Sequence, residues 1–173
     1  MSDSGTTLRL PNGVFTLIEP AEATGGERVS FEITLPPGAK GPPSHFHPSQ
    51  HESWRMIEGE LALTVDDQEQ TLRSGEEVTI PPGAVHTFAN RAQTPARFHD
   101  LHTPALDFQQ YIETLARLTA SGKLAGHTTP SGLIYGAMVL HRHRTTQLSA
   151  SRMQRAAETL LAALGRALRH TID

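Results

Sequence analysis

The sequence contains no cysteine. This absence excludes a disulfide framework, a thiolate metal site and a cysteine nucleophile from the chain. Long apolar runs are also missing, because the longest one, Leu133 to Leu140, falls far short of the roughly 18 residues that a membrane-spanning helix needs. The first residues carry no basic patch leading into an apolar run, so we expect no signal peptide and a cytoplasmic location.

The charge of the chain is small in sum but unevenly distributed. With a length of 173 residues and a formal net charge of −3, the chain has room for one domain with additions. Residues 1–105 carry 14 acidic and 7 basic residues, whereas residues 106–173 carry 4 acidic and 8 basic ones. This asymmetry fits two solvated faces, attraction between segments or subunits, or a basic surface for an anionic partner.

Residues 13–104 have the pattern of a β domain, and they follow a segment, 1–12, that we expect to be flexible. Polar and apolar residues alternate from Arg28 to Leu35 and nearly so from Glu60 to Val65, as on strands with one buried face. Between turn-forming residues we predict strands at 14–19, 28–35, 44–47, 52–57, 60–65, 70–73, 77–80, 85–89 and 96–102. Short strands at this spacing predict an all-β sandwich or barrel.

Residues 105–173 change to a helical pattern, and we predict a helical extension. Apolar residues recur at helical spacing in two stretches, at Phe108, Tyr111, Ile112, Leu115 and Leu118, and at Met153, Ala157, Leu160, Leu161, Leu164 and Leu168. Gly122 fits the end of the first helix, and Ser149 or Ser151 can cap the second. Residues 131–140 can form a short helix or a strand, since two glycines leave the choice open.

Potential metal ligands lie in two short clusters, His45-Phe46-His47 followed by Glu52, and His86 farther along. Residues two apart on a strand point to the same face, and the gap before Glu52 lets the chain turn its carboxylate toward the same point. Imidazole and carboxylate suit divalent transition metals. We therefore expect one such ion per chain, Fe, Mn, Ni, Zn or Cu.

These residues belong to two longer motifs, His45-x-His47-x4-Glu52-x6-Gly59 and Gly75-x5-Pro81-x-Gly83-x2-His86-x3-Asn90. Both resemble the two motifs of the cupin superfamily, and the 15 residues between Gly59 and Gly75 match the short spacing of microbial cupins. The resemblance covers roughly residues 30–102. This chain departs from the family at Ala39. The family's first motif opens at this position with a glycine, which serves a turn.

The resemblance implies a cupin jelly-roll β-barrel, a small closed barrel whose interior takes side chains or one small ligand. In that family the matching residues bind the metal, so the resemblance assigns His45, His47, Glu52 and His86 as ligands, although metal-free barrels with these residues hydrogen-bonded also occur. His51 directly precedes Glu52 and faces the other side of the strand. A slip of one residue would put His51 in its place.

Period-two alternation also predicts the wall of the pocket. If Glu52 and His86 face inward, so do Trp54, Met56 and Phe88, which would line a small-molecule pocket or fill the core. Strand 96–102 faces inward either with Phe98, Asp100 and His102 or with Arg97, His99 and Leu101. The possible supporting or acid–base residues are therefore His51, His99, Asp100 and His102, each of which can equally be a solvated or core residue. No catalytic residue is assigned.

Three functions follow from this site. The first is a metal-dependent oxidoreductase, dioxygenase-like, acting on a small organic molecule. The same ligands can support a metal-dependent isomerase, lyase or cyclase, in which the metal polarises a carbonyl. The third is a non-catalytic module that binds a small molecule or a metal.

The last helix suggests a partner for the chain. Its leucine stripe is flanked by the basic residues Arg152, Arg155, Arg166 and Arg169. We expect this stripe to pack on the outside of the barrel or on a second subunit in a homodimer. A basic amphipathic helix can also lie on an anionic membrane surface. No helix-turn-helix pattern precedes it, so we expect no nucleic-acid partner.

Overall fold

Two antiparallel β-sheets face each other in the computed structural model, which describes residues 2–124 and 129–172. Their strands are β1 (Thr7–Leu10), β2 (Gly13–Glu19), β3 (Val29–Leu35), β4 (His45–Phe46), β5 (His51–Glu58), β6 (Glu60–Val65), β7 (Gln68–Arg73), β8 (Glu77–Ile80), β9 (His86–Ala89), β10 (Ala96–Thr103) and β11 (Leu148–Ser149). One sheet has the order β1-β2-β3-β10-β5-β8 and the other the order β11-β4-β9-β6-β7.

The two sheets form an open jelly roll, so the expected closed barrel is wrong in this respect. Within the described ranges, no strand of one sheet pairs with a strand of the other. The apolar inner faces of the two sheets bury each other by packing. The sheet edges do not form the hydrogen bonds that would close a barrel. The predicted helical extension is present and contains three helices, α1 (Phe108–Ala120), α2 (Pro130–Arg142) and α3 (Arg152–Ala167), so the term all-β describes only the two sheets.

The strand predictions are confirmed for all nine segments, to within two residues at each end. The first and last strands were not predicted. β1 pairs with β2, and its Leu8 and Leu10 pack against the core. The segment 1–12 is therefore partly ordered in a sheet, and the expectation that it is flexible is wrong for this strand.

The motif glycines make turns that other residues would strain. Gly59, between β5 and β6, has a φ of 77°, and a Cβ there would lie 2.5 Å from the carbonyl oxygen of Pro95. Near the departure at Ala39, the preceding Gly38 takes the left-handed conformation with a φ of 73°. The turn is thus kept with a shifted glycine.

The helical extension has three helices, and the undecided stretch 131–140 lies in α2. Thr129 caps α2 by accepting a hydrogen bond from the Gly132 N–H, and Ser151 caps α3 by accepting one from the Gln154 N–H. Among the helices that the structure describes, none has the length and apolar character needed to cross a membrane.

α3 packs on α2 through small residues. Ala162 and Gly165 are buried, and a Cβ on Gly165 would lie 2.8 Å from Cγ2 of Ile134, so glycine permits the close approach. Leucines on other faces of α3 are exposed, by 72% at Leu160, 46% at Leu164 and 55% at Leu168. The expectation that this stripe packs on the outside of the barrel is therefore wrong, because the small-residue face makes the helix contact.

β11 brings the C-terminal extension to the strand that carries the first histidine. It pairs with β4, placing Ser149 opposite His45 and Leu148 opposite Phe46. The N–H of Ala150 donates to the carbonyl of Ser44 over 2.9 Å. The extension therefore borders the site directly.

Candidate metal centre

Four of the predicted site residues meet between the two sheets. His45 on β4 lies opposite His86 on β9, and His47 directly follows β4. Glu52 projects from β5 on the other sheet. All four are buried, with 1% to 5% of their surfaces exposed. The structure thus brings together the ligand set that the motifs assigned.

Each histidine of this cluster is held by its Nδ1 atom. His45 Nδ1 donates to the carbonyl of Pro43 over 3.0 Å, and His86 Nδ1 donates to that of Ala84 over 3.0 Å. His47 Nδ1 donates to the carbonyl of Thr146, 2.5 Å away in the C-terminal extension. With the proton on Nδ1, the lone pair of Nε2 is free to bind a metal.

The free ring nitrogens converge on Glu52. Its Oε2 atom lies 2.8 Å from His86 Nε2 and 3.2 Å from His47 Nε2. These three atoms are buried and have no hydrogen-bond partner among the described residues, which is unfavourable unless a further group satisfies them.

The dimensions of the cluster fit a bound ion. The ligand atoms of the four residues lie within 4.8 Å of one another. Atoms that bind one ion at about 2.1 Å lie up to about 4.2 Å apart, so a slight contraction would enclose a divalent metal. The cluster His45, His47, Glu52 and His86 can therefore hold a metal ion.

The electrostatics of the cluster favour a cation. Burial works against ionisation of Glu52, but His102 and His47 outweigh it and hold the pKa of this carboxyl well below its usual range. Burial, together with the nearby His86 and His47, lowers the pKa of His45 to about 3. A negative carboxylate beside a neutral imidazole is the charge state that a divalent metal needs.

A second group of buried polar residues supports Glu52 from behind. Phe98, Asp100 and His102 form the inward face of β10, which settles the choice that alternation left open. His102 lies opposite Glu52 in the sheet, and its Nε2 atom is 3.4 Å from Glu52 Oε1 and 3.3 Å from Asp100 Oδ2. His102, Asp100 and Glu52 thus form a connected acid–base group.

The carboxyl groups around His102 favour its protonated form. Burial alone would lower the pKa of His102, but the charges of Asp100 and Glu52 raise it to about 10. The ring stacks on Phe108 of α1, with centroids 3.5 Å apart. Burial in turn raises the pKa of Asp100.

The other two histidine candidates lie elsewhere. His51 is exposed, so the alternative in which it replaces Glu52 is wrong. His99 lies half-buried on the outward face of β10, away from the cluster. Neither can contribute a ligand in this conformation.

A cavity of about 630 Å³ opens from the cluster. Trp54 and Phe88 line it, together with the candidate ligands His45, His47 and Glu52. Met56 does not line it and instead belongs to the buried core between the sheets.

The far wall of the cavity comes from the C-terminal extension, which the sequence did not predict. Phe108 and Tyr111 of α1, Gly136 of α2 and Leu161 of α3 line it. The helical periodicity of Phe108 and Tyr111 correctly predicted a buried face. It contained no indication that this face borders a cavity instead of a solid core.

Comparisons with known proteins bear on the family and the fold. Residues 31–102 match the family model described as a cupin domain. A solved structure, an RmlC-like cupin from Shewanella frigidimarina, superposes with a TM-score of 0.52 and 19% identity over 63% of this chain and 92% of that chain. That likeness shows the fold.

Two curated proteins are each similar to part of this chain. Quercetin 2,3-dioxygenase of Bacillus subtilis is 36% identical over 77 residues, which are 43% of this chain and 22% of that protein. Oxidoreductase OpS7 of Beauveria bassiana is 35% identical over 77 residues, which are 41% of this chain and 25% of that protein. The chain therefore spans no more than a quarter of the length of either relative.

Proposed function

Since residues 31–102 of this chain form a cupin domain, we propose that it is a metal-dependent oxidoreductase of the dioxygenase type that acts on a small organic molecule. The observation that carries the proposal is the convergence of three Nε2 atoms and one carboxylate at the end of a cavity. Two of these nitrogens and Glu52 Oε2 are buried without a hydrogen-bond partner in the described chain.

His45, His47, Glu52 and His86 would hold the metal. When bound, a redox-active divalent ion would supply Lewis-acid and one-electron chemistry there. The backbone carbonyls of Pro43, Ala84 and Thr146 orient the rings. The apolar part of the wall would limit the contact of a bound substrate with water.

The similarity to quercetin 2,3-dioxygenase and to oxidoreductase OpS7 supports oxygen or redox chemistry. The alignments cover no more than a quarter of either relative, so the substrate of this chain must be found by experiment.

A second candidate is a metal-dependent isomerase or lyase. Asp100 lines the cavity and, with His102, forms an acid–base pair next to Glu52. Such a pair can hold or release a proton near a bound substrate.

The test is an oxygen-uptake screen on protein of known metal content. The protein is purified without oxygen, analysed for metals and loaded separately with Fe²⁺, Mn²⁺, Ni²⁺, Cu²⁺ and Zn²⁺. It is then screened with aromatic and enolic compounds. We expect uptake that requires a redox-active metal, is lost in His86→Ala and is retained in His51→Ala, a matched exposed histidine. Conversion of a substrate by loaded protein without oxygen uptake would reject the oxygenase and favour the second candidate.

A further inference from the structure

The cavity has two chemically different halves. The half next to the ligand cluster is lined by aromatic rings, among them Trp54, Phe88, Phe98 and Phe108. The other half, between α2 and α3, is lined mainly by small and aliphatic side chains, Gly136, Ala137, Leu140, Ala157 and Leu161, with Gln154 and Glu158 of α3 as the polar exceptions. An aliphatic wall of this kind suits an alkyl chain.

Gly136 lies in the middle of α2, where glycine is among the poorest helix formers. A Cβ built at Gly136 would meet no atom within 4 Å, so close packing does not require glycine there. Gly165 of α3 differs, because a Cβ there would contact Met138 and Ile134. The space beside Gly136 belongs to the cavity.

The half of the cavity between α2 and α3 is continuous with the candidate metal cluster, some of whose buried polar atoms lack a partner. His47 and Glu52 line the same cavity, and their Nε2 and Oε2 atoms are buried without hydrogen-bond partners in the described chain. A molecule bound in the cavity can therefore have one end at the metal cluster and the other between the helices.

We propose that the substrate is a molecule with an oxygen-bearing head, such as a carboxylate, and an alkyl chain. In this proposal α2 and α3 bind the alkyl chain. Because Gly136 has no side chain, it sets the length of the alkyl chain that fits in the cavity. The position of the head rests on the proposed function, whereas the binding of the chain rests on the apolar walls and on Gly136.

The experiment measures binding of a series of alkyl carboxylates, from butanoate to dodecanoate, by calorimetry. It uses metal-free protein and Zn²⁺-loaded protein in parallel. Each CH₂ buried should raise the affinity about fourfold until the chain fills the cavity. Gly136→Leu should weaken binding of the longest carboxylates at least about tenfold and leave butanoate unchanged, since the new side chain occupies only the far half.

The matched control is Ala163→Leu, which adds the same side chain at an exposed position of α3 outside the cavity and should bind like the wild type. If Gly136→Leu fails to fold, Leu161→Phe narrows the cavity from α3, because Leu161 lines the cavity and is half-buried against the core. Affinity that does not depend on chain length, or a folded Gly136→Leu protein with unchanged affinity for dodecanoate, would overturn the proposal.

The parallel measurements on metal-free and Zn²⁺-loaded protein separate this inference from the proposed function. Chain-length dependence in protein that takes up no metal would support the alkyl-chain site and reject the metal-dependent function. Full metal loading without chain-length dependence would reject the alkyl-chain site alone.

Discussion

The indole N–H of Trp54 donates a hydrogen bond to Glu52 Oε1 over 2.9 Å and so fixes the carboxylate whose other oxygen faces the histidines. The same N–H lies 3.0 Å from Asp100 Oδ1. Trp54 therefore does more than line the cavity, because it leaves Oε2 of Glu52 as the oxygen available to a metal.

Replacement of Trp54 by phenylalanine should weaken metal binding about 10- to 100-fold, the usual effect of losing a group that orients a ligand. Phenylalanine keeps an aromatic ring in the core but removes the donor. The affinity is measured by competition with a chelator. Phe98→Leu is the control, since Phe98 packs against Trp54 without a hydrogen bond to Glu52. Equal affinity in Trp54→Phe and wild type would show that Glu52 does not depend on this bond.

Metal affinity should fall as the pH is lowered, because an imidazole binds a metal only in its neutral form. Burial works against a charge on His86, but Glu52 outweighs it and raises the pKa of this ring above its usual value. Lowering the pH through that pKa protonates Nε2, and each proton displaced weakens the affinity about tenfold per pH unit. The pKa of His45, at about 3, predicts no comparable effect from that ring.

Chelator competition between about pH 8 and about pH 6 checks this pH dependence. An affinity that stays constant over the range would mean that no ligand imidazole exchanges a proton for the metal. His86→Ala should remove most of the dependence along with most of the affinity.

The strands, and the proximity of the candidate ligands, could be predicted from the sequence for a physical reason. One face of each strand is buried, so alternation is directly visible at residues such as Phe31 and Ile33. The spacing of His45, His47 and Glu52 is also a local property. The sequence did not decide which face of β10 points inward, because both faces of that strand carry a histidine. Only the pairing of β10 with β5 decides which of the two histidines lies next to Glu52.

The role of the C-terminal extension could not be predicted in the same way. The contact of Thr146 with His47 joins residues 99 positions apart. β11 has only two residues, too few for a visible alternation. The stripe on α3 suggested that its leucines are buried, whereas Gly165 allows α2 to approach on a different face.

The two helix glycines should respond to alanine in opposite directions. Gly136→Ala should raise the free energy of unfolding by about 0.5–1 kcal/mol, because alanine is the better helix former and its Cβ enters open space. Gly165→Ala should lower it by about 1–3 kcal/mol, since its Cβ would collide with α2. Urea unfolding of both variants gives the comparison, and a gain in stability at Gly165 would contradict the packing described.

The exposed leucines of α3 bear on the predicted homodimer, which stays a prediction. If a second copy covers Leu160 and Leu164, the wild type should have the mass of a dimer in light scattering, and Leu160→Glu with Leu164→Glu should give a monomer. A monomeric wild type would reject the dimer. Binding of that monomer to anionic vesicles, lost in the double variant, would instead support the membrane-surface alternative.

The metal content of the purified chain tests the central claim most directly. Native mass spectrometry should find one divalent metal ion per wild-type chain and none in His45→Ala/His86→Ala. This double variant removes two candidate ligands, one from each of the paired strands β4 and β9. The control His51→Ala/His99→Ala removes two histidines outside the cluster and should keep the metal. Full metal content in His45→Ala/His86→Ala would contradict the assignment of the site.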